Sequence, residues 1–425
     1  MAQTTQASDL LKTIMNVKDL MEHDQNDPLR SFRKLFHLPK GVIYLDGNSL
    51  GPAPLKVFQE METVLRQEWA EDLIRSWNSA NWWGLTDRLG GMVAQLIGAD
   101  ANEVVVCDTT SVNLHKVLHA ALSLNPGRNK VIAEADCFPS DLYVIEGVKS
   151  LRQDIEILLE GRDADCITDL LDNRVGAVLI NHVDYRNGHI RDMVSLTRAV
   201  HDVGGIVIWD LSHSAGVLPV QLKNCEVDFA VGCTYKYLNG GPGAPAYLYA
   251  ASKHHSECNQ PLIGWFGHVR PFNFERSFEP ATGIRRFVCG TQPILSLRAL
   301  QAGLEIYQDT NLNQIRKKSM ALTQLFISLL ESECGSWNLE IHSPLEASQR
   351  GSQVSVRHPQ AYAVMQALIA RGVIGDFRAP DLMRFGFAPL YIRYQDVQEA
   401  VEHLKQILEN EEWNQETFLQ KATVT

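Results

Sequence analysis

Two neighbouring stretches decide the fold: GGIVIWDLSHSAG at residues 204–216 and DFAVGCTYKYLNGGPGA at residues 228–244. Each begins with an apolar run of strand length and continues into polar residues. Uninterrupted rather than alternating apolarity is typical of strands that are buried on both faces, as in a parallel sheet. Four further runs have this character: EVVVC (103–107), KVIAEA (130–135), VGAVLI (175–180) and PAYLY (245–249). The sequence therefore predicts a large, mostly parallel central sheet.

Helical periods lie between these runs. Apolar residues at positions 114, 117, 118, 121 and 122 follow the i, i+3, i+4, i+7, i+8 spacing of an amphipathic helix. Strands that alternate with helices indicate an α/β domain in which helices sandwich the sheet.

The pattern changes after about residue 305. Three helical stripes, at 322–330, 364–369 and 397–408, alternate with the short runs SQVSVR (352–357) and LMRFGF (382–387). Helices on one face of a mostly antiparallel sheet fit this region, which predicts a smaller C-terminal α+β domain. We therefore divide the 425 residues into an N-terminal arm (1–40), a large domain (41–305) and a small domain (306–425). It stays open whether the N-terminal segment packs with the small domain.

Composition narrows the class of protein. The formal net charge of -11 disfavours nucleic acid as a partner, because an acidic surface repels phosphate backbones. No apolar run approaches the roughly 18 residues that span a bilayer, and the first twenty residues do not resemble a secretory signal. The eight cysteines are scattered without a C-x-x-C pair. We expect a cytoplasmic protein with no metal site and no membrane partner.

Lys236 and Asp210 follow two of the predicted strands. Ligands of open α/β sheets bind outside the carboxyl ends of the strands. Pyridoxal 5'-phosphate (PLP) needs a lysine that carries it as a Schiff base and a carboxylate that keeps its ring nitrogen protonated. The two residues are 26 positions apart, which is roughly one helix plus one strand. His213 could orient Asp210 or reach the cofactor. The alternative for each residue alone is a surface lysine or a helix-capping aspartate.

Two further segments are candidates for the same site. DTTSVNLHKVL (108–118) opens a helix, where Thr110 and Ser111 could bind a phosphate; a plain N-cap is the alternative. No Walker or G-x-G-x-x-G motif accompanies them. In ADCFPSDLY (135–143), Phe138 could stack on the cofactor ring and Asp141 could bond its edge, unless they form a turn with a core aromatic and a cap.

Other side chains are candidates for substrate or phosphate contacts. Arg384, in GDFRAPDLMRFGFAPLY (375–391), alternates with apolar neighbours, so it needs either a ligand carboxylate or a structural ion pair. Trp265, in a Gly/aromatic loop, could reach a phosphate through its indole N–H, or it could simply pack. Trp77 belongs to a tryptophan cluster that either packs in the core or lines an aromatic pocket.

These motifs together resemble the kynureninase family, within the aspartate-aminotransferase-like (fold type I) superfamily of PLP enzymes. The resemblance covers nearly the whole chain. It is carried by YLDGNSLGP (44–52), TSVNLH (110–115), FPSD (138–141), WDLSHSAG (209–216), CTYKYLNGGPG (233–243), GWFGH (264–268) and the segment 375–391.

The resemblance implies hydrolysis of L-kynurenine to anthranilate and L-alanine in tryptophan catabolism, by a homodimer whose active sites are shared between subunits. The implied catalytic residues are Lys236, Asp210 and Tyr235. The implied cofactor-binding residues are Thr110, Ser111, Phe138, Asp141, Asn181, Asp210, His213, Tyr235, Lys236, Trp265 and Thr291. Of these, Trp265 and Thr291 would come from the second subunit. The implied substrate-binding residues are Arg384, Trp77 and Asn48.

Some positions distinguish this chain from the animal members of the family, and others distinguish it from enzymes with a different function. Animal members tend to carry a histidine near Trp77 and Ser-Asn at Gly290-Thr291, so the departure points to the bacterial type, with 3-hydroxykynurenine as the weaker substrate. Cysteine desulfurases and selenocysteine lyases usually have a histidine where Tyr235 precedes Lys236. A non-catalytic relative should have lost the lysine, the aspartate or the arginine, and all three are present.

Overall fold

The structure, a computed structural model, describes residues 17–421. The sixteen residues before them, which include the start of the predicted arm and most of the segment compared with a secretory signal, lie outside the described residues. Within the described residues the strands are β1 (Ile43–Tyr44), β2 (Val104–Val106), β3 (Lys130–Glu134), β4 (Glu156–Glu160), β5 (Val175–Asn181), β6 (Ile206–Asp210), β7 (Phe229–Gly232), β8 (Tyr247–Ala250), β9 (Glu340–Ile341), β10 (Gln353–Arg357), β11 (Val373–Ile374), β12 (Asp376–Arg378) and β13 (Leu382–Gly386).

The segment between β6 and β7, all of which the structure describes, contains no helix, so the prediction of a helix between Asp210 and Lys236 is wrong. The α-helices of the described residues lie elsewhere, between or beside the strands. They are α1 (Val17–Asn26), α2 (Lys56–Thr63), α3 (Ser76–Ser79), α4 (Leu85–Ile97), α5 (Thr110–Leu124), α6 (Pro139–Leu151), α7 (Met193–Asp202), α8 (Ile294–Glu305), α9 (Leu312–Cys334), α10 (Ala361–Ala370), α11 (Tyr394–Glu409) and α12 (Glu416–Leu419).

The described residues form two compact units. The first, called here the sheet unit, comprises Lys56–Tyr185 and Arg191–Gln308. The second, called the terminal unit, comprises the described residues up to Leu55, Arg186–Ile190 and the described residues from Asp309 onward. This division differs from the predicted one at residues 41–55 and 186–190, which were expected in the large domain, and at 306–308, which were expected in the small domain.

The sheet unit is built on a seven-stranded sheet in the order β2-β8-β7-β6-β5-β3-β4. The pairs from β7 through β4 are parallel, whereas β8 runs antiparallel to both β7 and β2. The predicted large, mostly parallel sheet is confirmed, and all six apolar runs are strands. Strand β4 was missed because its short EILLE run carries a glutamate at each end. Helix α5 packs on β5 through β8.

The register of this sheet places the candidate residues side by side. Asn181 ends β5 and is the Cα partner of Asp210, which ends β6. Asp210 in turn pairs with Val231 of β7, five residues before Lys236. Because neighbouring parallel strands end at one edge of a sheet, the polar residues at the ends of β5, β6 and β7 lie close together.

The terminal unit contains the antiparallel four-stranded sheet β12-β13-β10-β9 and the small parallel pair β1-β11. The helical stripes at 322–330, 364–369 and 397–408 belong to α9, α10 and α11. The ring of Phe326 lies 4.9 Å from that of Phe385, so α9 covers the sheet with apolar contacts. The predicted smaller α+β region is thereby confirmed.

Two contacts explain why the described N-terminal segment belongs to the terminal unit. Strand β1 pairs with β11 through Ile43 and Val373. The Asp24 carboxylate of α1 accepts hydrogen bonds from the Tyr394 and Gln395 N–H groups at 2.8 and 3.1 Å, so it caps α11. In the range 17–421, no helix combines the length and the apolarity that crossing a membrane requires.

Candidate active site

A cavity of about 240 Å³ opens at the carboxyl ends of β5, β6 and β7 in the sheet unit. It brings together nine of the residues predicted for the site: Thr110, Ser111, Phe138, Asp141, Asn181, Asp210, His213, Tyr235 and Lys236. Five further residues line it that sequence reasoning missed: Thr109, Ser140, Val183, Tyr185 and Ser212. Most of these are immediate neighbours of predicted residues.

Lys236 lies in the turn that follows β7. Its Nζ is 2.8 Å from His213 Nε2 and 5.9 Å from the centre of the Phe138 ring. The turn is fixed on both sides of the lysine, because Thr234 Oγ1 donates to the Pro245 carbonyl at 2.6 Å and the Asn239 N–H donates to the Lys236 carbonyl at 3.0 Å. The amine is therefore presented at a fixed position with an imidazole beside it.

Asp210 is the buried carboxylate of the cavity. It accepts a hydrogen bond from the Ser212 N–H at 2.6 Å. Burial raises the pKa of Asp210, and the Ser212 hydrogen bonds and the charge of Lys236 only partly oppose this. Burying the ionised Asp210 side chain costs free energy, and a cation bound in the cavity would offset that cost.

Asp141 extends this polar network. The Asn181 side-chain N–H donates to Asp141 Oδ2 at 2.9 Å, and the Phe138 backbone N–H donates to Asn181 Oδ1 at 3.3 Å. Burial, followed by the negative charge of Asp210, raises the pKa of Asp141 to about 8. Asp141 and Asp210 are therefore two buried carboxyl groups in one cavity, and ionisation of either one disfavours ionisation of the other.

The first turn of α5 forms another wall. Thr109 is the N-cap, and its hydroxyl accepts a hydrogen bond from the Val112 N–H at 3.3 Å. The next two residues, Thr110 and Ser111, line the cavity with hydroxyls at a helix N-terminus, where the helix itself leaves backbone N–H groups unpaired. Such a wall suits an anion such as a phosphate.

Phe138 closes the cavity on a further side. Its side chain is 44% exposed, and Tyr185 meets the ring edge-on with centres 5.3 Å apart. A half-exposed ring beside a cavity can stack on a flat ligand. PLP requires an amine, an anion site, a carboxylate for its ring nitrogen and a stacking ring, and these residues meet all four requirements.

The structure does not bring Trp265 and Thr291 to this cavity. Both are exposed, with Trp265 in the loop before Phe266 and Thr291 just after Cys289. The Phe266 N–H donates to the Cys289 carbonyl at 3.1 Å, so the two segments lie side by side. They form one accessible surface of the sheet unit.

Trp77 also lies outside the cavity lining. Its ring is half-buried and contacts the rings of Trp82 and Phe266 at 5.8 and 5.9 Å between centres. Trp77 packs against the core of the sheet unit, which is one of the two roles that its sequence context allowed.

Arg384 lies in the terminal unit, where it forms a buried ion pair. Its Nε donates to Asp376 Oδ1 at 2.7 Å, and its Nη2 also bonds the other carboxylate oxygen. Asp376 and Arg384 are cross-strand partners of β12 and β13, which explains the pairing. The structural ion pair foreseen as the alternative is therefore present, and burial is tolerated because the charges meet.

Further polar groups surround this pair. Arg378 Nη2 bonds Asp376 at 2.7 Å, and the Ser49 hydroxyl donates to Asp376 Oδ2 at 3.0 Å. These bonds, above all the one from Arg384, lower the pKa of Asp376 despite its burial. Sequence reasoning missed Asp376 and Ser49, although both lie in the quoted motifs, because local pattern does not reveal cross-strand partners.

Asn48 is completely buried in the terminal unit. Neither its amide nitrogen nor its amide oxygen has a hydrogen-bond partner among residues 17–421. Its Oδ1 would be 2.0 Å from a Cβ placed on Gly386, so the absence of a side chain there makes room for the amide. A buried amide without partners is costly, and it is a candidate for binding a polar ligand.

Solved structures of PLP enzymes share the fold of this chain. A cysteine desulfurase from Escherichia coli matches with a TM-score of 0.75 at 19% identity, covering 90% of this chain and 98% of that one. An apo cysteine desulfurase from Thermococcus onnurineus matches with a TM-score of 0.76 at 19% identity, covering 89% and 98%. A C-DES variant with glycine covalently linked to the PLP cofactor gives 0.75 at 17% identity, covering 88% and 98%. The fold is that of the fold type I PLP enzymes.

Relatives of known name identify the family within this class. The kynureninase C-terminal domain model matches residues 315–404. A kynureninase from Burkholderia mallei is 48% identical over 407 residues, which are 95% of this chain and 98% of that protein. One from Pseudomonas fluorescens is 46% identical over 411 residues, which are 96% and 99%. The chain belongs to the kynureninase family.

Proposed function

We propose that this chain is a PLP-dependent hydrolase that cleaves the Cβ–Cγ bond of L-kynurenine and releases anthranilate and L-alanine. The observation that carries this is the cavity in which Lys236, Asp210 and the start of α5 meet. Membership of the kynureninase family supplies the substrate. Bound PLP stores electrons in its protonated ring and so makes bonds next to the substrate amine breakable.

Each wall of the cavity has a proposed role in holding the cofactor. Lys236 carries it covalently, and Asp210 pairs with its ring nitrogen, which also relieves the cost of burying this carboxylate. Thr110 and Ser111 bind its phosphate. Phe138 stacks on the ring. Asn181 orients Asp141 through the bond of 2.9 Å.

Proton transfer follows from the contact between Lys236 and His213. When it does not carry the cofactor, the amine of Lys236 would be free to remove the Cα proton of the substrate. His213 Nε2, at 2.8 Å, can bond the amine and hold it in place. Tyr235 lines the same cavity, and its burial raises the pKa of its phenol, so the group stays protonated and can donate a proton.

Arg384 and Asn48 are the proposed partners of the substrate carboxylate. A guanidinium can bind carboxylates along its edges, and Asp376, which holds the Nε and Nη2 groups of Arg384, fixes the plane of this guanidinium. The Asn48 amide supports this role, because it is buried with no partner among the described residues. Trp77 is proposed to face the aromatic end of the substrate from the packed cluster that it forms.

We propose that the chain forms a homodimer in which each active site contains residues of both subunits. We also propose that the protein is located in the cytoplasm. Trp265 and Thr291 are exposed and lie outside the cavity lining of their own chain, which supports a role toward the cavity of a partner chain. Light scattering of the purified protein should give twice the chain mass. A monomer that is fully active would contradict the shared site.

The proposed reaction has a direct test. Purified protein with PLP and L-kynurenine should produce anthranilate fluorescence and an equal amount of alanine, with a slower reaction on 3-hydroxykynurenine. Lys236→Ala should abolish both the reaction and the visible absorbance of lysine-bound PLP. Lys317→Ala, at an exposed lysine of the terminal unit, is the matched control and should retain both.

Two outcomes would overturn the proposal. Absence of anthranilate in the presence of bound PLP would refute the reaction, and release of alanine from L-cysteine instead would favour the desulfurase alternative. The latter needs a reactive thiol. Cys233, the cysteine nearest to Lys236 in sequence, is buried, and burial raises the pKa of its thiol, which makes it unreactive.

A further inference from the structure

A second and larger cavity, of about 690 Å³, lies in the terminal unit between residues 30–43 and helix α11. This volume is within the range of small-molecule sites. Six cationic side chains line it: Arg30, Arg33, Lys34, Lys40, Arg371 and Arg393. Only two carboxylates, Asp396 and Glu399, accompany them in the lining. The surplus of positive charge contrasts with the net charge of -11 on the whole chain.

Asp396 fixes two of the guanidinium groups. It is 1% exposed, and it accepts bonds from Arg33 Nη1 at 2.7 Å and from Arg393 Nε at 3.0 Å. It also accepts the Arg393 backbone N–H at 2.8 Å, so it is anchored at the start of α11. Because one carboxylate serves two guanidinium groups, they are held in position while one positive charge remains uncompensated.

Arg371 is held in a similar way. Its Nε donates to Glu412 Oε2 at 3.0 Å, and its Nη1 donates to Gln406 Oε1 at 2.7 Å. Its Nη1 also lies 3.3 Å from His403 Nδ1, another residue of the lining. Three arginines of the cavity are therefore positioned by side chains of α11 and of the residues that follow it.

The other three cations are not compensated. Arg30, Lys34 and Lys40 are exposed and make no ion pair with any residue in the range 17–421. Like charges around one cavity repel each other, and a bound multivalent anion would remove this repulsion. Guanidinium forks that are held in place, together with exposed ammonium groups, are a combination that binds phosphate groups.

We propose that this cavity is a binding site for polyphosphate anions, separate from the PLP cavity. A chain of several phosphates suits it better than a single one, because the cations are spread around the walls. The phosphate chain of a nucleotide and an inorganic polyphosphate share this chemistry. Leu38 and Val42, which are partly exposed, add apolar surface beside the cations, on which the organic part of a nucleotide could rest.

Calorimetric titration of the PLP-saturated holoenzyme tests the site, because the cofactor then occupies its own phosphate site. Inorganic triphosphate and ATP are the two probes, at constant ionic strength and without divalent cations. One equivalent should bind per chain. The double variant Lys34→Gln/Lys40→Gln should bind about tenfold more weakly. Lys317→Gln, which makes the same charge change at an exposed position outside the cavity, should bind like the wild type.

The two probes distinguish the sources of the phosphate chain. Tighter binding of ATP supports a nucleotide, and equal binding supports recognition of the phosphates alone. Arg393→Lys retains the charge but loses the fork and should also weaken binding, with thermal melting as the check on folding. No binding of either probe, or equal binding by wild type and double variant, would overturn the proposal.

Discussion

Asp210 and Asp376 are both buried carboxylates beside cationic side chains, yet their environments differ in kind. In the sheet unit, burial raises the pKa of Asp210, which accepts a hydrogen bond from the Ser212 N–H. In the terminal unit, bonds from Arg384 lower the pKa of Asp376 in spite of burial. One carboxylate therefore has its cation built into the fold, whereas the other is placed where a bound cofactor can supply it. The comparison separates a carboxylate that is already neutralised by the fold from one that remains available to a cofactor.

The largest expected effect is on Asp210→Asn. A neutral amide cannot keep the ring nitrogen of PLP protonated, so kcat/KM should fall about a thousandfold, which corresponds to roughly 4 kcal/mol. Steady-state kinetics with L-kynurenine measures this. The melting temperature of the cofactor-free variant should equal or exceed that of the wild type, because a costly buried charge is removed. A clear loss of stability without cofactor would contradict the distinction between the two carboxylates.

Asp376→Asn should lower the stability of the cofactor-free protein, which Asp210→Asn should not. It leaves the Arg384 guanidinium buried without its anion, which should lower the free energy of unfolding by about 3 kcal/mol. Denaturant unfolding of the cofactor-free protein measures this. Exchange of both partners, in Asp376→Asn/Arg384→Met, should recover part of the loss. If the single variant is as stable as the wild type, the pair does not stabilise the fold.

Gly386→Ala tests the packing beside this ion pair. The new methyl would overlap the buried Asn48 amide at 2.0 Å, so the amide must move. Overpacking of this kind should cost about 2 kcal/mol of stability. If Asn48 contacts the substrate carboxylate, KM for L-kynurenine should rise more than kcat falls. Gly127→Ala is less suitable as a control, since the φ of Gly127 is +97°. Gly147→Ala meets no atom within 4 Å and lies inside α6, so it should leave stability unchanged or raise it slightly.

The smallest expected effect, taken over a single pH unit, is the change in stability that the titration of Asp141 contributes. Its folded pKa of about 8 lies above its unfolded value, so between those values the folded state holds a proton that the unfolded state has lost. Stability of the cofactor-free protein should therefore fall as pH rises through this window, by at most about 1.4 kcal/mol per pH unit. Asp210, Glu134 and Lys236 face the same group. Asp141→Asn should flatten the slope, and an unchanged slope would assign it to other groups.

The sequence by itself determined the sheet and the core of the cofactor site. Continuous apolar runs predict buried strands because burial on both faces removes the need for alternation, and all six such runs are strands. Asp210 and Lys236 follow two of these strands, so the rule that ligands bind at carboxyl ends was sufficient to place them together. The local sequence pattern was sufficient here, because Asp210 and Lys236 are each placed by the strand that precedes them in the chain.

Only the tertiary structure decided which side chains meet across strands and segments. The pairing of Asp376 with Arg384 depends on the register of β12 and β13, and the burial of Asn48 depends on the space left by Gly386. The position of Trp265 and Thr291 outside the cavity lining depends on how two loops pack. No local periodicity encodes such contacts, because they join residues whose separation in sequence is unrelated to their distance in space.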